Sequence, residues 1–297
     1  MKILVIGGRG FIGSHFVELA LSQGDEVIDI DKMTYASSNK LSWDNHKNYK
    51  LIVDDLVSLN HLPPCDCVVN FAAESHVDNS IESPKVFFES NTKGVFNLLE
   101  LIRGKIYNRP FLLHVSTDEV YGDIREEQYT EEDKLNPGNP YSASKAAAEM
   151  FVMSYNKTFG LEYLITRSSN NYGERQYVEK LIPQIIHSLE TGRKIPIHGD
   201  GSYVRDWIYV KDNVAAIYFL LKSGIKNEIF NISANNHMTN LEVVKEIASW
   251  YDISDYSKHI KFVENRLGQD VRYSISNEKL KKAGYKLPVF KGLKKFI

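Results

Sequence analysis

Short apolar runs punctuate the first half of the chain: KILVI at 2–6, EVIDI at 26–30, YKLIV at 49–53, CVVNF at 67–71 and FLLHV at 111–115. Runs of this length with little polar alternation predict strands buried on both faces. Between them, residues 11–23 and 84–103 carry apolar side chains at helical spacing, with capping-type residues near their starts. Residues 139–160 predict another long helix, followed by the strand EYLITR. Strand–helix–strand repetition of this kind predicts an α/β fold of Rossmann type, a doubly wound parallel sheet with helices on both faces.

After about residue 170 the pattern changes. Helices are predicted near 176–191, 211–222 and 239–251, with shorter strands such as IFNI between them. This predicts a smaller mixed α/β region that binds the substrate. The expected division is therefore residues 1–170 and residues 171–297. No linker rich in Gly, Pro or Ser separates them, so the chain is free to cross between the two.

A length of 297 residues, 43% apolar and 25% charged, suits one large or two smaller globular domains. The net charge of −2 points to no nucleic-acid or membrane-surface partner. The opening MKILVIGG reads as a first strand, because its apolar stretch is short and glycines follow it. No run approaches the roughly 18–20 apolar residues that span a bilayer, and a cytoplasmic location is expected. Cys65 and Cys67 alternate across a strand, too close together for a disulfide, and no zinc spacing surrounds them. They are expected to be buried small residues, and no metal site is expected.

Candidate chemistry begins at GGRGFIG, residues 7–13. Gly8, Gly10 and Gly13 fit GxGxxG, while Gly7, Gly10 and Gly13 fit GxxGxxG. Either spacing, between a strand and a helix, allows a tight turn and close backbone approach to a pyrophosphate at the helix N-terminus. Asp31 ends the next strand, where a carboxylate accepts ribose hydroxyls and repels a 2′-phosphate; this favours NAD over NADP. Asp55 and Leu56 follow the third strand and would flank the adenine. YSASK, residues 141–145, places Tyr141 and Lys145 on one helix face. An ammonium and a nicotinamide cation nearby would favour the phenolate, which could take a hydroxyl proton as hydride leaves the same carbon.

STDEVYG, residues 116–122, adds two adjacent carboxyls, Asp118 and Glu119. Oxidising a sugar hydroxyl to a ketone acidifies the neighbouring C–H. One carboxylate could remove that proton while one carboxylic acid expels a hydroxyl from the next carbon as water. Adjacent side chains on a regular strand point apart, so the backbone must leave strand geometry here for both to face a substrate.

These residues, together with DKMTYA, FAAESHVDNSI, NTKG, RSSNNYG, EKLIP, GDGSYVRDWIYV and RLGQDVRY, resemble the extended short-chain dehydrogenases/reductases. Within them the likeness is to the nucleotide-sugar 4,6-dehydratases, of the dTDP-glucose type. The resemblance implies NAD contacts at Gly7, Gly10, Phe11, Ile12, Gly13, Asp31, Lys32, Met33, Thr34, Asp55, Leu56, Phe71, Ala72, Ala73, Thr92, Tyr141, Lys145 and Asn171. It implies catalysis by Thr117, Asp118, Glu119, Tyr141 and Lys145. Tyr141 would serve C4 oxidation, Glu119 would take the C5 proton, and Asp118 would protonate the departing 6-hydroxyl. Ser75, Thr117, Asn170, Lys180, Leu181, Arg205, Asn240 and Arg266 would contact the nucleotide sugar, and the chain would form a homodimer through a four-helix bundle. Departures such as NRLGQD and short connecting segments leave UDP-glucose open as the substrate. The same motifs also leave room for a nucleotide-sugar 4-epimerase or a non-catalytic NAD-binding module.

Overall fold

Each apolar run of the first half becomes a strand. A computed structural model describes residues 1–105, 107–294 and 296. In chain order the strands are β1 (Lys2–Ile6), β2 (Glu26–Asp31), β3 (Tyr49–Val53), β4 (Cys67–Asn70), β5 (Phe111–Thr117) and β6 (Tyr163–Ser168). They continue as β7 (Asn170–Tyr172), β8 (Ile195–His198), β9 (Val204–Tyr209), β10 (Glu228–Ile232), β11 (His237–Thr239) and β12 (Ile260–Val263). The main sheet has seven strands in the order β10-β6-β5-β4-β1-β2-β3, all parallel. Strand order reverses between β1 and β4, which opens a crevice at their carboxyl ends.

Helices cover both faces: α1 (Phe11–Ser22), α2 (Val77–Glu82), α3 (Pro84–Phe87), α4 (Gly94–Arg103), α5 (Pro140–Phe159), α6 (Leu181–Thr191), α7 (Val210–Lys222) and α8 (Asn240–Ser249). A π-helical turn, Phe88–Lys93, joins α3 to α4. One core packs Ile3, Val5 and Val69 against Phe16 of α1 and Ile217 of α7; the other packs Leu4, Ile6 and Val68 against Leu98 of α4 and Val152 of α5. Strand positions of opposite parity thus feed opposite layers. Cys67 is buried in β4, Cys65 lies just before it, and neither is bridged.

The second region holds a sheet of order β11-β9-β7 and a β12-β8 pair. Its core joins Tyr172, Ile185, Ile195, Trp207 and Val244. The chain crosses back between these elements: α7 packs on α1, and β10 pairs with β6 as the outermost strand of the main sheet. The helix expected from residue 176 begins at Leu181, because Gly173 and Arg175 adopt positive φ and turn the chain first.

Candidate active site

The loop after β1 forms the floor of a cavity of about 1350 Å³ at the sheet's reversal point. A Cβ on Gly13 would sit 2.2 Å from the Gly7 carbonyl oxygen, so only glycine lets α1 start this close to the loop. The N-terminus of α1 has no side-chain cap and no acidic residue in its first turn. Its leading N–H groups are suited to an anion. Gly8 has a different task. Its N–H donates to Asp29 Oδ1 at 2.9 Å, and a Cβ there would lie 2.4 Å from that oxygen. Gly7, Gly10 and Gly13 line the cavity, and Gly8 seats a buried carboxyl. Burial pushes the Asp29 carboxyl up to about 7, against the hydrogen bond from Tyr49.

Asp31 closes β2 on the cavity wall. Its carboxylate accepts the N–H of Arg9 at 2.9 Å, the N–H of Met33 at 2.8 Å and the Ser37 hydroxyl at 3.0 Å. Phe11, Ile12, Lys32, Thr34, Asp55, Leu56, Phe71, Ala72 and Ala73 line the same space, with Ser116, Tyr141 and Lys145 at one end. A glycine cradle, an uncapped helix start and an acid at the end of the second strand fit a dinucleotide. Three residues expected to touch the cofactor lie elsewhere. Met33, at φ 56, turns the chain beside Asp31. Thr92 is buried and donates to the Ser144 carbonyl at 3.0 Å. Asn171 lines the neighbouring cavity, its side chain held by Ser169 and Asn213.

Tyr141 and Lys145 sit in the first turns of α5, whose start the sequence specifies. Asn139 caps it in a reciprocal box with Ser142, and Pro140 occupies the first turn. Lys145 Nζ donates to the Val115 carbonyl at 2.7 Å, and burial lowers its pKa to about 8, opposed by Glu149. The Tyr141 phenol is held above its ordinary range by burial, with Glu119 adding to the effect and a hydrogen bond with Thr117 opposing it. The expected lowering counts on the nicotinamide cation as well as Lys145; the protein's own contribution at Tyr141 is burial and the Glu119 charge.

β5 ends at Thr117, and Asp118–Tyr121 leave strand geometry in a 3₁₀ turn, which brings Glu119 but not Asp118 to a cavity wall. Thr117 Oγ1 accepts the Glu119 N–H at 3.3 Å. Gly122 closes the turn at φ 81, where a Cβ would lie 2.2 Å from the Asn136 carbonyl oxygen. Glu119 lines a second cavity of about 1100 Å³. Asp118 lies behind the wall, 3% exposed, with Oδ1 3.3 Å from the Thr117 hydroxyl and Oδ2 unpartnered. Burial first, then Glu119 and Asp206, hold Asp118 well above the usual carboxylate range. Burial also raises Glu119, but Arg205, Lys180 and a hydrogen bond with Asn139 pull the other way. Both carboxylates are close enough to Tyr141 to act on its phenol.

The second cavity is also lined by Ser75, Asn170, Lys180, Leu181, Arg205, Asn240 and Arg266, and Ser75 and Lys180 border the cofactor cavity as well. Lys180 Nζ donates to the Ser75 carbonyl at 2.7 Å. Arg205 donates to the carbonyls of Val204, Val271 and Asp270 and lies 4.3 Å over the Tyr273 ring. Arg266 pairs with Asp78 at 2.6 Å. Sequence reasoning did not single out Tyr273, whose hydroxyl lies 2.5 Å from Asp270 Oδ2 and 3.5 Å from Glu119 Oε2. Its signal lay within RLGQDVRY, far along the chain from Glu119. Among the described residues no cluster suited to a metal is found, and no helix is long and apolar enough to cross a membrane.

Known proteins resemble this chain in sequence and fold. The sequence matches the GDP-mannose 4,6 dehydratase family over residues 4–287. It is 43% identical to the low-salt glycan biosynthesis protein Agl12 of Haloferax volcanii, covering 96% of this chain and 93% of that protein. It is 41% identical to the dTDP-glucose 4,6-dehydratase of Haemophilus influenzae, covering 94% and 91%. The structure superposes with a TM-score of 0.92 on DesIV, a dTDP-glucose 4,6-dehydratase from Streptomyces venezuelae solved with NAD bound, at 36% identity over 98% of this chain and 93% of that one. The chain therefore belongs to the GDP-mannose 4,6 dehydratase family, within the short-chain dehydrogenases/reductases.

Proposed function

We propose that this protein is an NAD-dependent dTDP-glucose 4,6-dehydratase, forming the 4-keto-6-deoxy sugar nucleotide. NAD, held by the loop of Gly7, Gly10 and Gly13 and by Asp31, would supply reversible hydride exchange, oxidising C4 and reducing C6, so the net reaction needs no external oxidant. The nucleotide domain, residues 1–170 with α7 and β10 returning to it, holds the cofactor, and the remainder of 171–297 holds the sugar nucleotide. Tyr141 would accept the C4 hydroxyl proton as phenolate, a form that Lys145 and the nicotinamide cation would favour against burial and the Glu119 charge, with Thr117 orienting the hydroxyl. The resulting ketone acidifies the C5 hydrogen. Glu119, whose carboxylate Arg205 and Lys180 favour, takes that proton. Asp118, whose neutral form burial and Glu119 favour, would give its proton to the 6-hydroxyl, which leaves as water, and the proton taken up by Tyr141 would restore Asp118 at the end of the cycle. Glu119 then returns a proton to C5. Arg205 and Arg266 suit the diphosphate through their planar donor forks.

The observation that carries this reading is the 3₁₀ turn. In it Glu119 lines the second cavity, while Asp118 is buried behind that wall with its carboxyl raised by burial and by Glu119, close to Tyr141. An epimerase has no use for such a pair. The dTDP-glucose dehydratases among the relatives favour thymidine as the nucleoside. Separate incubations with dTDP-glucose and UDP-glucose, followed by mass spectrometry, test both points. Water loss from dTDP-glucose is expected to be the faster. Faster loss from UDP-glucose would reassign the nucleotide, and loss from neither would overturn the dehydratase reading.

The homodimer is part of the same proposal. Val86, Phe88 and Phe96 on one side and Met150, Phe151 and Phe159 of α5 on the other leave large apolar side chains exposed, with Phe96 edge-on to Phe151 at 5.6 Å. A second copy would cover this face with the same two helical segments. Light scattering at micromolar protein should give twice the chain mass; a monomer would remove the dimer from the account. The cytoplasm, where NAD and sugar nucleotides occur together, is the location this chemistry suits.

A further inference from the structure

Behind the acid–base turn sits a polar cluster that none of the steps above uses. Arg167 on β6 is 2% exposed and Glu149 on α5 is fully buried. The guanidinium Nε lies 3.2 and 3.1 Å from the two carboxylate oxygens, and Nη2 lies 2.6 Å from Oε2. Nη1 donates to the Tyr121 hydroxyl at 2.6 Å, and that hydroxyl donates to Asn231 Oδ1 on β10 at 2.9 Å. The guanidinium also lies 4.6 Å over the Tyr121 ring, and Tyr129 stacks on the same ring at 5.1 Å.

Stability alone is a poor reason for such a pair, because desolvation offsets much of the attraction in a buried ion pair. Its placement suggests a better one. Tyr121 ends the turn that carries Asp118 and Glu119. Glu149 follows Tyr141 and Lys145 on α5 at helical spacing, so all three share a face. The cluster therefore ties the turn that eliminates water to the helix that serves oxidation, and ties both to the central sheet.

We propose that Arg167, Glu149 and Tyr121 are positioning residues, a brace that holds the two carboxyls in register with Tyr141. A sugar oxidised at C4 then meets the elimination pair without leaving its place. The proposal rests on the dehydratase reading above and adds to it the residues that couple the two halves of the reaction.

Tyr121→Phe tests the brace, because it removes one hydroxyl and keeps both ring contacts. Wild type and variant are mixed with dTDP-glucose in D₂O under single-turnover conditions. C4 oxidation is read from the near-ultraviolet absorbance of reduced cofactor, and elimination from water loss and deuterium entering C5. Oxidation is expected to stay within about twofold of wild type while elimination slows about tenfold or more, since small misplacements of reacting groups are costly in rate. Arg167→Lys keeps the charge but loses the fork, and should shift the same ratio in the same direction. Equal slowing of both steps, or no slowing, would overturn the brace and leave the cluster a structural feature. Wild type that oxidises the sugar but releases no water would overturn the dehydratase reading, and the brace with it; that outcome is distinguished by the wild-type trace alone.

Discussion

The cofactor cavity and the sugar cavity adjoin, yet they are built by different means. The first is largely the work of the crevice between β1 and β4: a glycine loop, one helix start and Asp31 at a strand end. Its wall is more apolar than polar, though Asp31, Lys32, Asp55 and Lys145 also face it. The second gathers side chains from segments scattered between residues 75 and 273, including Glu119 from β5's turn and Arg205 from β9. Its wall is more polar than apolar, and Glu119 there is set against Arg205 and Lys180, which are distant in sequence. One cavity is organised around a local motif, with further segments closing it, and the other has no such motif at its centre. Tyr141 faces the first and Glu119 the second, so the reaction is divided along the same line.

Substitution at Glu119 should separate the two cavities most strongly. Glu119→Gln should cut product formation about 10³-fold, the scale of a lost general base, while cofactor content and C4 oxidation persist. Comparable loss of oxidation would erase the division. Next comes Gly13→Ala on the cofactor side. Its Cβ would meet the Gly7 carbonyl at 2.2 Å, costing about 1–3 kcal/mol by overpacking. Bound NAD should fall, measured by release on denaturation, while calorimetric binding of a thymidine diphosphate is little changed.

A smaller effect is expected from Arg266→Ala at the sugar-cavity rim. KM should rise about tenfold with kcat nearly unchanged, because a diphosphate contact of this kind acts equally in ground and transition states. Steady-state kinetics would read it, and a fall in kcat instead would implicate Arg266 in chemistry. The smallest effect belongs to Asp29. Its carboxyl is raised from 3.8 to about 7, so the folded state holds the extra proton across that window. Stability therefore falls as pH rises through it, and is fully reduced above. Asp29→Asn should raise Tm relative to wild type by about 2–4 °C near pH 8, with the gap closing near pH 4. A constant gap, read by thermal melts across pH, would mean that Asp29 titrates normally.

The same contrast explains what the sequence disclosed. Strand runs, the helix over 139–160 and the YSASK face are local, and they could be read from spacing. So could the need for the chain to turn at Asp118, since strand geometry forbids adjacent side chains from facing one cavity. Three features could not be read this way. Gly7 and Gly8 both satisfy a glycine pattern, and only the packing of Asp29 against Gly8 separates their tasks. The direction of the Tyr141 shift depends on burial and on Glu119, neither of which is written in the YxxxK spacing. Tyr273 reaches Glu119 across 154 positions, and its part in the site emerges only once β9 and the turn come together.

Oxidation at C4 must prepare water loss across C5 and C6 within one site, and every role given to Asp118, Glu119 and Tyr141 depends on that coupling. Turnover of dTDP-glucose carrying deuterium at C4, with the product examined by NMR and mass spectrometry, puts it to the sharpest test. The expected product is a sugar nucleotide that has lost one water and carries the label at C6. Label retained at C4 of a hexose of unchanged formula, or label exchanged into solvent, would contradict the coupling.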